Sequence, residues 1–435
     1  MSILQRKEFI DLRLNKMQIH LNCYRLLTNL VDGSNNNITR RQQMKRSKLR
    51  TSIQAATSLL VFGIASPASA MKILGDADHM TNLKGYEIEV YGYARLNASY
   101  DIEEDISEPT RAGDFSKINT GADEINEATG YFGADATQSR LGVKATLPQG
   151  VKIVVEGGFR YGNLRLRHAY GEYKGVMAGQ NWSNYNSFVG FIPTLEFDGM
   201  PGNAGSQFRT SQVRYTSGPV SVSLEQPFNF ASLIATDPDI EQKTSLPIAT
   251  ARLEDSAGAI SYSTAAFVRQ IDYDTGTQDD SAIGYGAFGA LTFAASDTVT
   301  LYGVFNYVNG GDIYLYRSGD NYAVDYGYVN SSGSVELISG YGASAGASFD
   351  LGGGRSINTG VGMVEVDWDD ALRDLPGSAD IGNKQETNTM AMINYQWSPA
   401  KAVTMGVEYS YFMVDEVDGD DGDASRLMFA AQYNF

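Results

Sequence analysis

The chain has 435 residues, with 34 Lys+Arg against 51 Asp+Glu and a formal net charge of −17. Residues 1–70 hold 11 of the basic and 3 of the acidic residues, so 71–435 carries 23 against 48, net −25, and contains no cysteine, Cys23 being the only one. So negative a chain is unsuited to nucleic acid, whose phosphates need clustered Lys and Arg, and the lack of Cys excludes a disulfide framework and thiolate metal sites.

The N-terminal region reads as targeting sequence. Met44 opens a secretory signal: Lys45, Arg46, Lys48 and Arg50 form its charged region, Ile53 to Ile64 its short apolar core, and Ala68-Ser69-Ala70 its cleavage site. Residues 1–43 precede it and are read as an upstream leader outside the mature protein, with translation from Met44. Residues 71–87 are then a short periplasmic segment and 88–435 the folded body. No later stretch approaches the roughly 20 apolar residues of a membrane-crossing helix. If the chain crosses a membrane, it does so with strands.

From residue 88 onward apolar residues recur at every second position. In the first element Ile88, Val90, Gly92, Ala94 and Leu96 alternate with Glu89, Tyr91, Tyr93, Arg95 and Asn97. The same rhythm marks 137–147, 151–161, 164–174, 176–183, 208–216, 219–226, 248–255, 258–272, 281–294, 297–308, 334–349, 354–366, 386–397, 400–414 and 424–435. In the last of these, Leu427, Phe429, Ala431, Tyr433 and Phe435 share one face. The ends can pair, which closes about sixteen strands into an all-β, antiparallel transmembrane barrel.

Connection lengths support that closure. Pro148-Gln149-Gly150, Gly175, Ser217-Gly218, Ser256-Ala257, Ser296-Asp297, 351–354 and Ser398-Pro399 are short, whereas 101–136, 184–207, 227–247, 309–333, 367–385 and 415–423 are long. Short periplasmic turns and long extracellular loops are the asymmetry of an outer-membrane barrel in a Gram-negative bacterium; only the connection around Gly162 departs from it. The long loops are acidic, as in DIEEDISEPTRAGD (101–114) and DGDDGD (418–423). Solvation accounts for them, with divalent-cation bridging to outer-membrane lipid and lipopolysaccharide as the functional alternative. DGDDGD lacks the bidentate Glu and full spacing of a calcium loop, and neither a metal nor a cofactor is expected.

The basic residues collect elsewhere. Between Arg140 and Arg214 there are nine basic and four acidic residues, +5 in a segment of −25. Alternation turns Arg95, Arg140, Lys144, Arg165, Arg167, Arg214 and Arg252 into the lumen, because an isolated lipid-facing Arg at mid-bilayer costs roughly 2–4 kcal/mol. In LRLRHAYGEY (164–173) the same parity sends Leu164, Leu166, His168, Tyr170 and Glu172 outward, and an outward Glu172 fits a subunit interface better than lipid. The stretch 183–208, SNYNSFVGFIPTLEFDGMPGNAGSQF, is too apolar for a free surface loop and is expected to fold inward as a constriction. Its Glu196 and Asp198 would then oppose the basic wall across a transverse field.

The segments TQSRLGVKATLP (137–148), LRHAYGEYKGVMAGQNWSNY (166–185), PTLEFDG (193–199) and SQVRY (211–215) resemble the DcaP-like family of trimeric outer-membrane porins, most densely over 88–226. The resemblance implies a sixteen-stranded homotrimer passing small anions, dicarboxylates among them, with Arg165, Arg167 and Arg214 inside matching motifs. The family's helical N-terminal segment is a departure here, since 71–87 is too short for much coiled coil. An enzymatic barrel would need a nucleophile paired with His or a carboxylate dyad, and His79 and His168 stand in no such arrangement. An adhesion barrel acting through acidic loops is the other alternative, but it gives the inward Arg and Lys no task.

Overall fold

The computed structural model describes Met71–Lys72 and residues 85–435 apart from 127–128, 229–231, 236–241 and 376–378. The expected leader, the signal peptide and residues 73–84 lie outside the described residues. Sixteen strands form one antiparallel ladder. They are β1 (Glu87–Asp101), β2 (Tyr131–Asp135 continued by Arg140–Thr146), β3 (Lys152–Gly158), β4 (Arg165–Tyr173), β5 (Val176–Trp182), β6 (Arg209–Ser217), β7 (Val220–Glu225) and β8 (Ile248–Ala257). The other half comprises β9 (Ile260–Asp274), β10 (Asp279–Ala294), β11 (Val299–Asn309), β12 (Ser339–Asp350), β13 (Arg355–Asp367), β14 (Gln385–Ala400), β15 (Val403–Glu416) and β16 (Asp421–Asn434). Pairing of β16 with β1, from Tyr93 opposite Asn434 to Asp101 opposite Arg426, closes the barrel. No helix among the described residues is long and apolar enough to cross a membrane.

The alternation in sequence becomes two chemically different faces. On β7, Val220, Val222 and Leu224 are exposed outward while Ser221, Ser223 and Glu225 are buried inward. On β1, Tyr93, Arg95, Asn97, Ser99 and Asp101 point in, and Leu96 and Tyr100 point out. In a bilayer the outward set meets lipid or protein, and every backbone group is satisfied by a neighbouring strand, which only a closed sheet allows. Strand heights differ around the ring. Apart from the upper piece of β2, the strands from β2 to β7 run 6 to 9 residues, while β9 to β16 run 11 to 16.

The interior is not an empty lumen. The inner face of β9 to β11 is apolar, with Phe267, Phe288, Ala290, Val304 and Val308 packed on Tyr185 and Tyr314 from two long connections. Tyr185 meets Phe267 at 4.8 Å and Phe288 at 5.1 Å between ring centroids, and Phe267 stacks on Tyr314 at 4.4 Å. Three connections, 102–130, 183–208 and 310–338, thus bury apolar residues inside the ring, among them Ile106, Phe115, Ile192, Leu195 and Leu315.

Three connections differ from the sequence reading. Residues 131–135 are not loop but a strand paired with the upper half of β1, from Tyr100 opposite Phe132 to Asn97 opposite Asp135. The expected long loop 415–423 is only the tight turn 417–420, because Asp421 and Asp423 extend β16 against Asp415 and Met413. Residues 275–278 likewise form a tight turn on the long-loop side, between β9 and β10.

Candidate functional site

All seven basic residues singled out by alternation lie on strands with their inward neighbours on the inner face. Arg95 is buried: its Nε donates to Asn97 Oδ1 (2.7 Å) and its Nη2 to the Leu195 carbonyl (2.6 Å). Arg140 lies over the Tyr93 ring at 5.1 Å and the Phe197 ring at 5.4 Å. Arg167 is buried and pairs with Glu156 at 2.9 Å. Lys144 pairs with Glu89 at 3.2 Å. Arg214 donates from Nε to Gln212 (2.9 Å) and from Nη2 to the Trp182 carbonyl. Arg252 donates to the Asn186 carbonyl and stands 4.0 Å from Glu254. Arg95, Arg140, Arg165 and Arg167 come together; Lys144, Arg214 and Arg252 sit apart on their own partners.

The outward placement of His168, Tyr170 and Glu172 is corrected by a β-bulge. Glu156 on β3 is opposite His168, but the next residue, Gly157, is opposite Leu166, so Arg167 is the extra residue. A bulge shifts the side-chain phase by one. Arg165 and Arg167 therefore face inward from one side of it, and His168, Tyr170 and Glu172 face inward from the other, opposite Glu156, Val154 and Lys152. His168 is buried, with Trp182 at 5.7 Å and Tyr170 at 6.4 Å between ring centroids. Glu172 meets Lys152 at 3.6 Å, so the reason given for an interface at Glu172 disappears.

The stretch 183–208 lies inside the ring. Leu195 N and Glu196 N donate to the Glu408 carboxylate on β15 (2.6 and 2.9 Å), and Asn394 Nδ2 on β14 donates to the Pro193 carbonyl (2.7 Å). Gly202, at φ +72°, passes so close to β12 that a Cβ there would lie 2.5 Å from Ala343 N. This is a close backbone approach that only Gly permits.

Its two acidic side chains do not face an open basic wall. Glu196, fully buried, accepts from Arg426 Nη1 (3.1 Å) and Gly113 N (3.0 Å) and stands 4.0 Å from Arg317. Arg426 also holds Asp101 at 2.8 Å, while Arg317 donates to the carbonyls of Gly199 (2.9 Å) and Gly113 (2.7 Å). Asp198 accepts from Tyr322 Oη (2.8 Å) and lies 3.8 Å from Arg160, which holds Glu108 at 2.6 Å. Both carboxylates tie loops to loops and to β16. A field set by free acidic groups across the lumen is not what these pairs provide.

Beside that plug Gln138, Arg140, Phe159, Arg160, Arg165 and Arg167 border a closed crevice too tight to hold a water molecule. Arg160 Nε, Arg165 Nε, Arg167 Nη2 and Gln138 Nε2 are buried without a hydrogen-bond acceptor among the described residues. Such donors cost free energy unless water or an anion accepts from them. Arg160 lies within the expected strand 151–161 without being singled out there; the observed strand ends at Gly158 and Arg160 stands in the turn 159–164. Arg317 lies in a loop, where alternation says nothing, while Arg426 and Glu408 occupy inward strand positions that alternation makes legible. No group of His, Cys, Asp and Glu capable of holding a metal occurs among the described residues.

No protein-family model and no curated protein sequence matches the chain, so the comparison rests on solved structures. The outer-membrane channel DcaP of Acinetobacter baumannii superposes with a TM-score of 0.67 and 26% identity, over 81% of this chain and 98% of that one. The anion-selective porin of Comamonas acidovorans gives 0.51 at 10% identity, covering 80% and 100%, and OmpT of Vibrio cholerae gives 0.51 at 13%, covering 84% and 100%. The last two establish shared architecture alone. The barrel and these likenesses make the chain an outer-membrane protein of porin architecture, similar in both sequence and fold to DcaP.

Proposed function

We propose that the chain is a diffusion channel for small anionic solutes, with dicarboxylates as the favoured class, and that solutes pass along the wall formed by β1 to β6. The carrying observation is the crevice beside Arg140, where buried donors of Arg160, Arg165 and Arg167 meet no acceptor among the described residues. Two features support the route. The inner face of β9 to β11 is closed by apolar packing against the inward loops, which leaves the basic side as the polar one. Arg95, Arg140, Arg165 and Arg167 also lie close together on β1, β2 and β4, where their fields add and raise the local concentration of anions. A planar carboxylate matches the fork of a guanidinium, so two carboxylates on one solute can engage neighbouring Arg residues in succession.

The acidic members of 183–208 have a positioning role in this reading. Glu196 and Asp198 fix the loop through Arg426, Arg317, Arg160 and Tyr322, and selectivity comes from the cationic side. The test is single-channel recording in a KCl gradient followed by addition of a small dicarboxylate. A reversal potential of the sign set by chloride, with dicarboxylate blocking that current, is the expected result. Equal permeability of both ions, or no conductance, would overturn the proposal.

A further inference from the structure

Arg160 borders the closed crevice beside Arg140, Arg165 and Arg167, and it is also held by two carboxylates from different parts of the chain. Its Nη2 donates to Glu108 Oε2 at 2.6 Å and to Tyr322 Oη at 2.7 Å, and its Nη1 lies 3.8 Å from Asp198 Oδ1. Tyr161 donates to the same Glu108 oxygen at 3.1 Å. Glu108 comes from the connection after β1, Asp198 from the inward loop and Tyr322 from 310–338, so three connections converge on this one guanidinium. The turn is shaped for the meeting: Tyr161 has φ +63°, a left-handed conformation that a residue with a side chain keeps only where its surroundings hold it.

The two carboxylates give Arg160 what a dicarboxylate solute would. A solute carboxylate replaces a protein carboxylate bond for bond, because both present the same planar pair of oxygens to the guanidinium; chloride has no such edge. The resident groups have the advantage of being tethered, and a solute offsets it when a second carboxylate is engaged by a neighbouring guanidinium at the same time. Of the two residents, Asp198 is fixed, since the next residue, Gly199, is bound by Arg317 at 2.9 Å. Glu108 is the one that can swing away. It reaches Arg160 with its side chain from the hairpin 107–113, which is closed by backbone pairing of Ser107 with Gly113, and Asp114 stands beside it.

We infer that Glu108 is a built-in competitor for the solute: a latch on Arg160 that a carboxylate-bearing anion displaces on entry, freeing Arg160 to take up the solute and opening the crevice it borders. This rests on the anion-channel reading and adds to it the residue that regulates entry.

The test is block of chloride current by succinate in the native full chain and in Glu108→Asp. Asp keeps the charge but is one methylene short of Arg160, so a gain in affinity reports loss of the latch and not loss of a repelling charge. A latch closed about nine-tenths of the time raises an apparent dissociation constant about tenfold, and the half-blocking concentration of succinate is expected to fall by up to about that factor. Should Glu108→Asp fail to fold, Tyr161→Phe, which removes an exposed donor from Glu108 and leaves both charges in place, carries the same expectation with a smaller fall. A half-blocking concentration at or above the native one in the folded variant overturns the latch. The reversal potential of the native channel in the same membranes reports the anion reading by itself: without chloride preference both readings fall, and with it an unchanged half-block removes the latch alone.

Discussion

Replacing Glu196 by Gln separates two roles for the inward loop. As a lumen-facing acid it would set a local potential, and the substitution would raise anion preference while leaving stability alone. As a buried clamp it holds Arg426 at 3.1 Å and Arg317 at 4.0 Å with all three side chains fully buried. With an effective dielectric constant near 20, those separations correspond to roughly 5 and roughly 4 kcal/mol of Coulomb attraction before desolvation is counted. The two terms do not add, because Arg426 keeps Asp101 at 2.8 Å and Gln still accepts one hydrogen bond. Arg317 then keeps only neutral acceptors, the carbonyls of Gly199 and Gly113 and the side chain of Asn321. Breaking one partner out of a buried ion pair costs about 3–5 kcal/mol. Glu196→Gln is therefore expected to lower stability by about that amount in denaturant unfolding and to produce noisier, larger currents as residues 183–208 loosen. Unchanged stability with a shifted reversal potential would refute the clamp.

Arg165→Ala with Arg167→Ala is expected to reduce the chloride-to-potassium permeability ratio by roughly tenfold or more, since a unit charge about 7 Å from an ion in water is worth roughly 0.6 kcal/mol, a factor near three per residue on each ion and in opposite senses. Adding Glu156→Gln restores stability lost with Arg167, because Glu156 would otherwise be buried without its 2.9 Å partner, and thermal melts of the two variants check this. Gly202→Ala puts a Cβ 2.5 Å from both Ala343 N and Ala343 O at a φ of +72°, so the loop must withdraw from β12. Faster amide exchange over 195–205 is the expected readout, and an unchanged pattern would count against the docked loop. In the connection 102–130, burial pushes the Asp114 carboxyl up, against opposing hydrogen bonds from Ser116, and nearby Glu108 adds to the rise. The neutral form is then favoured in the docked loop, so its stabilisation is complete below the ordinary Asp range near pH 4 and fades as pH rises through the raised value. Asp114→Asn should flatten that dependence in thermal melts run upward from about pH 4.

The barrel was legible because its rule is local. Side chains of period two must divide between lipid and lumen, so Arg95, Arg140 and Arg252 could be oriented from the residue on either side of each. The bulge at Arg167 was not legible, because nothing in LRLRHAYGEY distinguishes a regular strand from one with an added residue; the partner, Glu156 with Gly157, decides it. A single inserted residue reverses the facing of everything beyond it, which is why His168 and Glu172 were placed on the wrong side while Arg165 was not. The same limit applies to the turn 417–420, where DGDDGD has the composition of a solvated loop but Asp421 and Asp423 are held in β16 by the ladder to β15.

The inward loop shows a different limit. Its apolar character indicated burial, and Tyr185, Ile192 and Leu195 are indeed fully buried. Composition could not assign partners to Glu196 and Asp198, since Arg426 is 230 positions away and Tyr322 is 124 positions away in sequence. A buried carboxylate needs a cation close by, and on this chain the cations nearest Glu196 belong to β16 and to the connection 310–338, not to the wall at Arg165. Glu196 is neutralised there while Asp198 stands 3.8 Å from Arg160 at the edge of the basic wall, so any anion preference follows from the buried donors of Arg165 and Arg167 that meet no acceptor among the described residues. The pairing of Glu196 also makes the loop's position depend on Asp101, Glu196, Arg317 and Arg426 acting as one unit. Substitutions among those four should then be strongly non-additive, whereas those between this group and Lys144 or Arg252, which have partners of their own, should add.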